Sequence, residues 1–436
     1  MLDINLIRDT PEVVRAALLK RMPEVDFTEL LAWDRERRVL IARADELKAR
    51  RNTVSSEIPR MKKQGKEVAS LIEEMKEVGE RIRNLDSARS GLDSRIKNFI
   101  ERLPNIPAED VEPGGKENNR IIRTWGGKPD FDFPVRDHMQ LVTDLCLVDY
   151  ERGVKLGGSG FWMYTGKGAV LEWAFLNYFI EQHLKDGYEF ILPPHILNYE
   201  CGYTAGQFPK FTEDVFHLKP SGQEETAQFL LPTSETALAS FHRDEILSEQ
   251  EVPKKYFSFT PCYRKEAGSH RTNERGMIRG HQFNKIEMFQ YTLPERSDAA
   301  LEELMTKAEM LVQGLELHYR VVQLAAGDCS ASMAKTLDIE VWIPSMGDYK
   351  EVSSISNARD YQARRGNMRV KRKETGRNEY LHTLNASGLA TSRLLPALCE
   401  QFQQPDGSIR IPEVLKKWTG FNRISPDAIS KAPEKG

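Results

Sequence analysis

Five residues between positions 264 and 287 carry side chains that could hold a nucleotide and an amine. Arg264 and Glu266 stand two apart, and so do Phe283, Lys285 and Glu287. If both groups lie on β-strands, residues two apart share one face of the sheet. A guanidinium, an aromatic ring and a carboxylate on one face could bind a phosphate, a flat base and an amine. A salt-bridged hairpin without function would carry the same side chains, so this stretch alone leaves both interpretations open.

The surrounding sequence predicts two strands joined by a long loop. Residues 257–266 are rich in aromatic and β-branched side chains without helical spacing, which favours a strand. Residues 267–276 contain the Gly, Ser, Asn and charged residues typical of a loop. Residues 280–290 return as the second strand. The five residues named above would therefore lie on an antiparallel pair of strands.

The rest of the C-terminal part alternates strands with a few helices. Pro193 and Pro194 would end or distort strand pairing within 189–197. The expected helices cover 167–186, 297–312 and 389–403, and further expected strands cover 229–233 and 339–343. The fold class is therefore α+β, with a mostly antiparallel sheet flanked by helices.

The N-terminal part predicts a short helix within residues 2–20 and then a long helical hairpin. Apolar residues recur with a 3.5-residue period on two segments, 27–63 and 68–103, separated by Gln64-Gly65. Two antiparallel helices of about 35 residues would form an arm about 50 Å long. Polar or small residues interrupt the seam at Arg37, Ala44, Arg51 and Arg89.

The distal part of this arm is basic. A solvated coiled-coil face explains any one of its charges, but a cluster of them near the tip of a long arm favours binding of a polyanion. The cluster consists of Lys48, Arg50, Arg51, Arg60, Lys62, Lys63 and Lys66.

Length and composition exclude several classes of protein. The chain has 436 residues and a net charge of −3, so two or three domains are expected and any nucleic acid must meet a local basic patch. Its five cysteines show no metal-ligand spacing, which favours a reducing, cytoplasmic location without a structural metal. No apolar stretch is long enough to span a membrane. Composition suggests an arm at 1–107, a linker at 108–130, a catalytic domain at 131–424 and a disordered tail at 425–436.

Two further features invite a catalytic interpretation. The glycines at 157–160 do not match GxGxxG, and residues 166–168 lack the Ser or Thr of a P-loop, so a turn is expected there. His270 and His281 lie near the arginine strand. We expect a structural role for His281, and a solvated loop position or a nucleic-acid contact for His270.

Together, these residues resemble class II aminoacyl-tRNA synthetases, and specifically the bacterial type of seryl-tRNA synthetase. The helical arm resembles that family's tRNA-binding arm. The helix before Pro193-Pro194 resembles motif 1, which builds the dimer interface. Residues 263–289 resemble motif 2 and residues 384–398 resemble motif 3. The segments TAGQFPKF and SNARDYQARR also have counterparts in the family.

The resemblance implies roles for individual residues. Arg264 and Arg393 would bind the α- and γ-phosphates of ATP and serve catalysis, while Phe283 would stack on adenine. Glu351 and Ser354 would hold Mg²⁺. The other implied ATP contacts are Lys265, Glu266, Gly280, Val352 and Ser353. The implied serine pocket consists of Thr233, Ser234, Glu235, Glu287 and Ser387, and the implied tRNA contacts are Lys48, Arg50, Arg51, Arg60, Lys62 and Lys63.

The sequence also departs from the family pattern. Ser234 stands where the family usually has Ala, and residues 270–274 read HRTNE where AGRDT is common. Ala386 replaces a usual glycine, and Thr391-Ser392 replace Val-Gly. The charged anchors and the motif lengths are kept, so the changes bear on specificity and acceptor-stem contacts more than on activation. They would also suit a second, divergent copy of the enzyme.

The resemblance implies a homodimeric ligase that activates L-serine with ATP and transfers it to tRNA(Ser), and to tRNA(Sec). One alternative is an enzyme that activates an amino acid for another acceptor, which would be expected to lack the arm. Another is a non-catalytic tRNA-binding paralogue, which would be expected to lose Arg264, Arg393 or Glu351, and all three are present. A plain coiled-coil scaffold would leave the motifs unexplained.

Overall fold

The computed structural model describes residues 1–219, 227–266 and 276–426. Contacts divide the chain into one compact unit at Leu2–Pro104 and a second that comprises Met1 and the chain from Asn105 onward. The first unit contains the helices α1 (Ile4–Asp9), α2 (Pro11–Leu18), α3 (Thr28–Lys63) and α4 (Ala69–Ile100). Thr10-Pro11 divides the short N-terminal helix expected at 2–20 into two.

The first unit is the predicted antiparallel helical hairpin. Trp33 meets Phe99 with ring centroids 6.3 Å apart, and Lys48 Nζ lies 3.2 Å from a carboxylate oxygen of Asp86. Further along the arm, Leu47 and Val54 pack against the cluster of Met75, Val78 and Ile82. The residue numbers of the contacts on α4 therefore decrease as those on α3 increase, as an antiparallel pair requires.

Polar residues that interrupt the apolar seam make ion pairs in the arm. Arg37 lies 2.6 Å from Asp34 on its own helix and 3.4 Å from Asp93 on the other. Arg89 pairs with Asp86 and Asp93 on α4, at 3.6 and 3.5 Å. Arg37 thus adds a polar link between the helices at a seam position that holds no apolar side chain.

The second unit is built on one large sheet. Its helices are α5 (His138–Asp144), α6 (Tyr150–Gly157), α7 (Gly166–Lys185), α8 (Tyr199–Thr204), α9 (Ser234–Leu238), α10 (Ser297–Gly314), α11 (Tyr361–Arg365), α12 (Thr391–Gln401) and α13 (Glu413–Thr419). Its strands are β1 (Arg120–Trp125), β2 (Val148–Asp149), β3 (Met163–Tyr164), β4 (Glu189–Ile191), β5 (Ile196–Asn198), β6 (His217–Leu218), β7 (Gln228–Leu230), β8 (Ile246–Ser248), β9 (Lys254–Tyr263), β10 (Gln282–Thr292), β11 (Tyr319–Gln323), β12 (Lys335–Ile343), β13 (Asp348–Arg359), β14 (Arg369–Lys371), β15 (Asn378–Tyr380), β16 (His382–Ala390), β17 (Ile409–Arg410) and β18 (Arg423–Ile424).

The large sheet has eight strands in the order β1-β11-β12-β13-β16-β10-β9-β4. Its neighbours pair antiparallel, except that β4 runs parallel to β9. The helices α7, α10 and α12 contribute the apolar side chains that form the main core with this sheet. The fold is the predicted α+β arrangement of a mostly antiparallel sheet and helices.

Several element boundaries differ from the sequence-based expectation. Pro193-Pro194 separates β4 from β5, as the disfavoured pairing at proline requires. The helix expected from residue 389 begins at Thr391, because residues up to Ala390 pair with β10. The strand expected at 229–233 ends at Leu230, and Thr233 caps α9 instead. Within the stretch 108–130, Arg120–Trp125 forms the edge strand β1, which composition gave no reason to expect.

Candidate active site

One cleft of the sheet brings together most of the residues expected to bind ATP. Gly280, Phe283, Glu351 and Val352 line it with both arginines, Arg264 and Arg393. Three expected contacts do not line this cleft. Lys265 is exposed, Ser354 pairs in the sheet with Asp338 of β12, and the fully buried Ser353 donates from its hydroxyl to the carbonyl of Ser387 at 2.5 Å.

Arg264 is held just beyond the end of β9. Its Nε donates to the carbonyl of Pro232 at 3.1 Å, and its guanidinium carbon lies 5.2 Å from the centroid of the Phe283 ring. The ring Nδ1 of His281 lies 2.9 Å from the carbonyl oxygen of Arg264, which makes His281 a structural support for this segment. The contact agrees with the role expected for His281, whereas His270 and residues 270–274 lie outside the described residues.

The position of Glu266 differs from the alternation argument. The strand β9 ends at Tyr263, and Glu266 has φ of 51°, in the left-handed region that few residues other than glycine adopt. Its carboxylate lies 2.6 Å from Arg279. Glu266 therefore reaches the cleft from an irregular segment, and strand periodicity does not place it beside Arg264.

Gly280 lies against the wall of the cleft where no side chain fits. A Cβ atom at this position would come within 2.0 Å of the Trp162 ring and 2.9 Å of the carbonyl oxygen of Gly160. The 157–160 glycines form a turn, with Gly158 and Gly160 at positive φ. Gly160 contacts the segment before β10, where its carbonyl accepts a hydrogen bond from the backbone N–H of His281 at 3.0 Å.

Arg393 enters the cleft from the first turn of α12. Its NH1 donates to the carbonyl of Glu351 at 2.8 Å, and its Nε donates to the carbonyl of Ile278 at 3.2 Å. The Glu351 carboxylate is 3.6 Å away. The two backbone contacts fix this guanidinium at the cleft that Arg264 also lines. Two arginines there suit a polyphosphate, because guanidinium stays charged and can bind phosphate with two donors.

The residues around Glu351 fit a hard divalent cation. Glu351 offers a carboxylate and Ser354 a hydroxyl, and Ser354 is paired across the sheet with Asp338. Asp338 is buried, and its Oδ1 has no hydrogen-bond partner among the described residues. Burial and the charge of Glu351 raise the pKa of Asp338 well above its usual value. Oxygen ligands of this kind suit Mg²⁺, which usually also retains water and takes phosphate oxygens.

A second group of polar residues lies beside this cleft, which Ser387 also lines. Glu287 is fully buried on β10, directly opposite Ser387 on β16. Asn385 Nδ2 donates to Glu287 Oε1 at 3.0 Å, and Thr233 Oγ1 donates to Oε2 at 3.4 Å. The structure thus brings Thr233, Glu287 and Ser387 together.

Glu235 is a second carboxylate in this group. Burial, and then the negative charge of Glu287, raise the pKa of Glu235 to about 7. Gln362 partly offsets this effect, since its Nε2 donates to Glu235 Oε1 at 2.9 Å. Two carboxylates close to one another favour a cationic ligand, because a nearby positive charge stabilises their charged forms.

Three residues of the site do not appear in the sequence-based analysis, and a fourth, Lys285, appears there only as a member of the strand row without an individual role. Asp338, Gln362 and Asn385 each contact or neighbour a predicted residue from a distant strand or helix, and Lys285 hydrogen-bonds to Thr233. Alternation gave a usable signal for Lys285, between Phe283 and Glu287, and for Asn385, two residues before Ser387. Only tertiary pairing reveals Asp338 and Gln362.

Two of the departures from the family pattern supply buried hydroxyl groups that have partners. Ser234 Oγ lies 2.7 Å from Thr260 Oγ1. Thr391 Oγ1 donates to Glu172 Oε1 at 2.5 Å, and Glu172 also accepts from Asn284 Nδ2 at 2.8 Å. Burial raises the pKa of Glu172 to about 7. The extra hydroxyls therefore stabilise the scaffold behind the site.

Five of the six cations expected to bind tRNA fall into two groups on the arm, and Arg51 belongs to neither. Lys48 and Arg50 make ion pairs with Asp86 and Glu74 of the opposite helix. Arg60, Lys62 and Lys63 are exposed in the last turn of α3, and no ion pair within the described residues involves them. Arg51 is half-buried. The group at the end of α3 is thus the better candidate for phosphate contacts.

No helix within the described ranges has the length and apolar character that a membrane span needs. The same residues hold no cluster of three or more His, Cys, Asp or Glu side chains suited to a metal ion.

Comparison with known proteins covers the whole chain. It is 62% identical over 425 residues to serine--tRNA ligase 2 of Clostridium acetobutylicum, covering 97% of this chain and 100% of that protein. It is 49% identical over 429 residues to serine--tRNA ligase of Thermotoga maritima, with the same shares of coverage. Among solved structures, seryl-tRNA synthetase from Pyrococcus horikoshii complexed with ATP superposes with a TM-score of 0.90 at 34% identity, covering 98% of this chain and 100% of that one.

Family models match both units. The model of the seryl-tRNA synthetase N-terminal domain matches residues 1–107, and that of the class II tRNA synthetase core domain (G, H, P, S and T) matches residues 216–402. Full-length identity to named serine--tRNA ligases exceeds what a shared fold alone would give. The chain belongs to the seryl-tRNA synthetase family of class II aminoacyl-tRNA synthetases.

Proposed function

We propose that the chain activates L-serine with ATP and transfers the seryl group to the 3′ end of tRNA(Ser), and of tRNA(Sec). The observation that carries this function is the single cleft in which Arg264, Arg393 and Phe283 adjoin a pocket that contains Glu235 and Glu287. The first three residues suit a nucleoside triphosphate, and the two carboxylates suit an ammonium group.

In the first step, a carboxylate oxygen of serine attacks the α-phosphorus of ATP. A bond forms between that oxygen and phosphorus, and the bond from phosphorus to the pyrophosphate oxygen breaks. Both reactants are anionic, so Arg264 and Arg393 would offset their repulsion and stabilise the charge that develops at phosphorus. In the second step, a terminal tRNA hydroxyl attacks the seryl carbonyl carbon. The bond from that carbon to the phosphate oxygen breaks, so that AMP leaves and the hydroxyl proton is released.

We infer that Glu351 and Ser354, with Asp338 beside them, would hold Mg²⁺ when ATP is bound. The ion would supply further positive charge to the phosphates. The serine specificity would reside in Thr233, Glu287 and Ser387, since buried polar groups that need the substrate hydroxyl reject an analogue without it. Alanine and threonine are the natural comparisons.

Serine-dependent exchange of pyrophosphate into ATP tests the activation step. Each amino acid should be assayed in turn, and serine should give the fastest exchange. Charging of tRNA(Ser) transcripts tests transfer. Exchange without charging would favour an enzyme that serves another acceptor, whereas binding of tRNA without any exchange would favour a non-catalytic paralogue.

We also propose a homodimer and a cytoplasmic location. Several large apolar side chains are exposed on α7 and around Pro193-Pro194, among them Trp173, Leu184, Leu192 and Ile196. An exposed apolar group of this kind favours a protein interface. Sedimentation should give about twice the chain mass, and a stable, active monomer would refute the dimer. The location follows from the proposed reaction, because tRNA is charged where it is used.

A further inference from the structure

Lys285 is a buried cation in the middle of the candidate serine pocket. It lies on β10 and is only 5% exposed. Its Nζ donates to Thr233 Oγ1 at 2.7 Å and makes an ion pair with the Glu287 carboxylate. It also lines the cleft of Arg264 and Phe283. A buried ammonium in contact with two residues assigned to substrate is more than a solvated strand charge.

The surroundings of Lys285 create a conflict once a substrate enters. Serine would bring its own ammonium group to the carboxylates Glu235 and Glu287. Two ammonium groups that share these carboxylates repel each other unless a further negative charge comes with the second one. Serine carries that charge on its carboxylate. A ligand that presents only the ammonium does not.

We propose that Lys285 binds the carboxylate of the amino-acid substrate and so restricts the pocket to ligands that carry both charges. In the serine-free pocket, its ammonium takes the hydrogen bonds of Thr233 and Glu287. When serine binds, the substrate's ammonium and hydroxyl replace it there, and Lys285 pairs with the carboxylate close to the ATP cleft. This role rests on the proposed function, because it assumes that serine occupies this pocket.

Replacing Lys285 should weaken the binding of serine and leave the binding of ATP nearly unchanged. The carboxylate keeps its charge until it bonds to phosphorus, so Lys285 stabilises the bound substrate more than the later adenylate. Lys285→Met should raise the KM for serine about 10- to 100-fold in pyrophosphate exchange, as expected for a lost hydrogen bond between charged groups. The KM for ATP should change less than about threefold, since the phosphate arginines are untouched.

Serinamide distinguishes carboxylate binding from a structural effect. It has the ammonium and the hydroxyl of serine but no carboxylate. As a competitive inhibitor of serine-dependent exchange, it should bind Lys285→Met as tightly as the wild type or more tightly. If serinamide and serine weaken by the same factor, Lys285 merely shapes the pocket, and the proposal fails. An unchanged KM for serine in a folded variant would also overturn it.

Two further variants complete the test. Lys255 lies on the adjacent strand β9 and pairs with Glu303 at 2.7 Å, outside the cleft, so Lys255→Met is the matched control and should leave both ligands unaffected. Lys285→Gln can still donate to Thr233 and Glu287, so it keeps the measurement possible if the methionine variant does not fold. If the wild type shows no serine-dependent exchange, the proposed function itself is wrong, which is a separate outcome from equal weakening of both ligands.

Discussion

Gln362 holds Glu235 through a partly buried hydrogen bond between distant parts of the chain. Its Nε2 donates to Glu235 Oε1 at 2.9 Å, and its amide oxygen accepts from Thr383 Oγ1 at 2.7 Å. Gln362 is 1% exposed. The same Nε2 also donates to the carbonyl of Ala205 at 3.1 Å, and because a carbonyl can only accept, the amide presents its NH₂ group to the carboxylate. Gln362 is therefore a positioning residue for the candidate ammonium site.

Replacing Gln362 should weaken serine binding specifically. In Gln362→Met, the Glu235 carboxylate loses a donor, and its protonated form is favoured further. We expect the KM for serine to rise roughly tenfold at pH 7, with the KM for ATP unchanged. Gln290→Met is the control, since Gln290 is equally buried and donates to Tyr188 at 2.6 Å away from the pocket. A similar rise in both KM values would point to a general distortion of the site.

Arg393 should be required for activation of serine. Arg393→Ala removes a guanidinium that is fixed by two backbone carbonyls, and we expect pyrophosphate exchange to fall at least ~100- to 1,000-fold. Circular dichroism and thermal unfolding would confirm that the variant is folded. Arg410→Ala is a suitable control, because Arg410 pairs with Glu316 at the surface. Wild-type exchange in a folded Arg393→Ala protein would disprove the assignment of this cleft.

Glu172 should make stability depend on pH. Its folded pKa of about 7 is above the ordinary 4.5, so the folded state binds more protons than the unfolded state between these values. Stability is therefore lost as pH rises from about 4.5 through 7. Glu172→Gln removes this loss. The free energy of unfolding of the variant, relative to that of the wild type, should therefore increase by roughly 3 kcal/mol between pH 4.5 and 8. Urea unfolding at both pH values measures this difference. A constant difference would show that Glu172 is not buried as a shifted acid.

The basic end of α3 should contribute to tRNA charging and not to serine activation. Replacing Arg60, Lys62 and Lys63 by alanine should weaken charging. It should also reduce the slope of log affinity for tRNA against log salt by about 2 to 3, if each cation meets one phosphate. Exchange should be unchanged. The control is Lys48→Ala with Arg50→Ala, which removes cations already paired within the arm. If only the variant with Lys48→Ala and Arg50→Ala impairs charging, the tRNA contact lies nearer the middle of the arm.

A larger deletion tests the arm as a whole. Removing residues 30–100 and joining the ends with a short turn should spare serine adenylation, since no residue of the candidate active site lies there. The same deletion should nearly eliminate charging of tRNA(Ser). Equal charging by the armless and intact proteins would mean that the arm serves another partner.

Local sequence patterns predict the elements whose contacts are local or repetitive. The seam of α3 and α4 repeats over many turns, so its helices and their antiparallel pairing follow from the period alone. Strand alternation alone places Phe283, Lys285 and Glu287 on one face of β10. In contrast, Glu266 lies beyond the strand end, where alternation no longer applies.

The remaining parts of the site depend on contacts between distant segments. Gln362 reaches Glu235 across 127 residues and Asn385 reaches Glu287 across 98. No periodicity specifies which strands become neighbours in an eight-stranded sheet. The edge strand β1 was missed for the same reason, since its six residues are exposed and pair only with β11.

The tight fit at Gly280 has a consequence for how this protein can vary. Even an alanine there would press its methyl group into Trp162, and at Gly160 a methyl group would meet the ring of His281 at 2.6 Å. The His281 ring lies against the carbonyl of Arg264, and Gly280 directly precedes His281 in the chain. A side chain at either glycine should therefore disturb the segment that carries Arg264, although neither glycine has a side chain to offer the nucleotide.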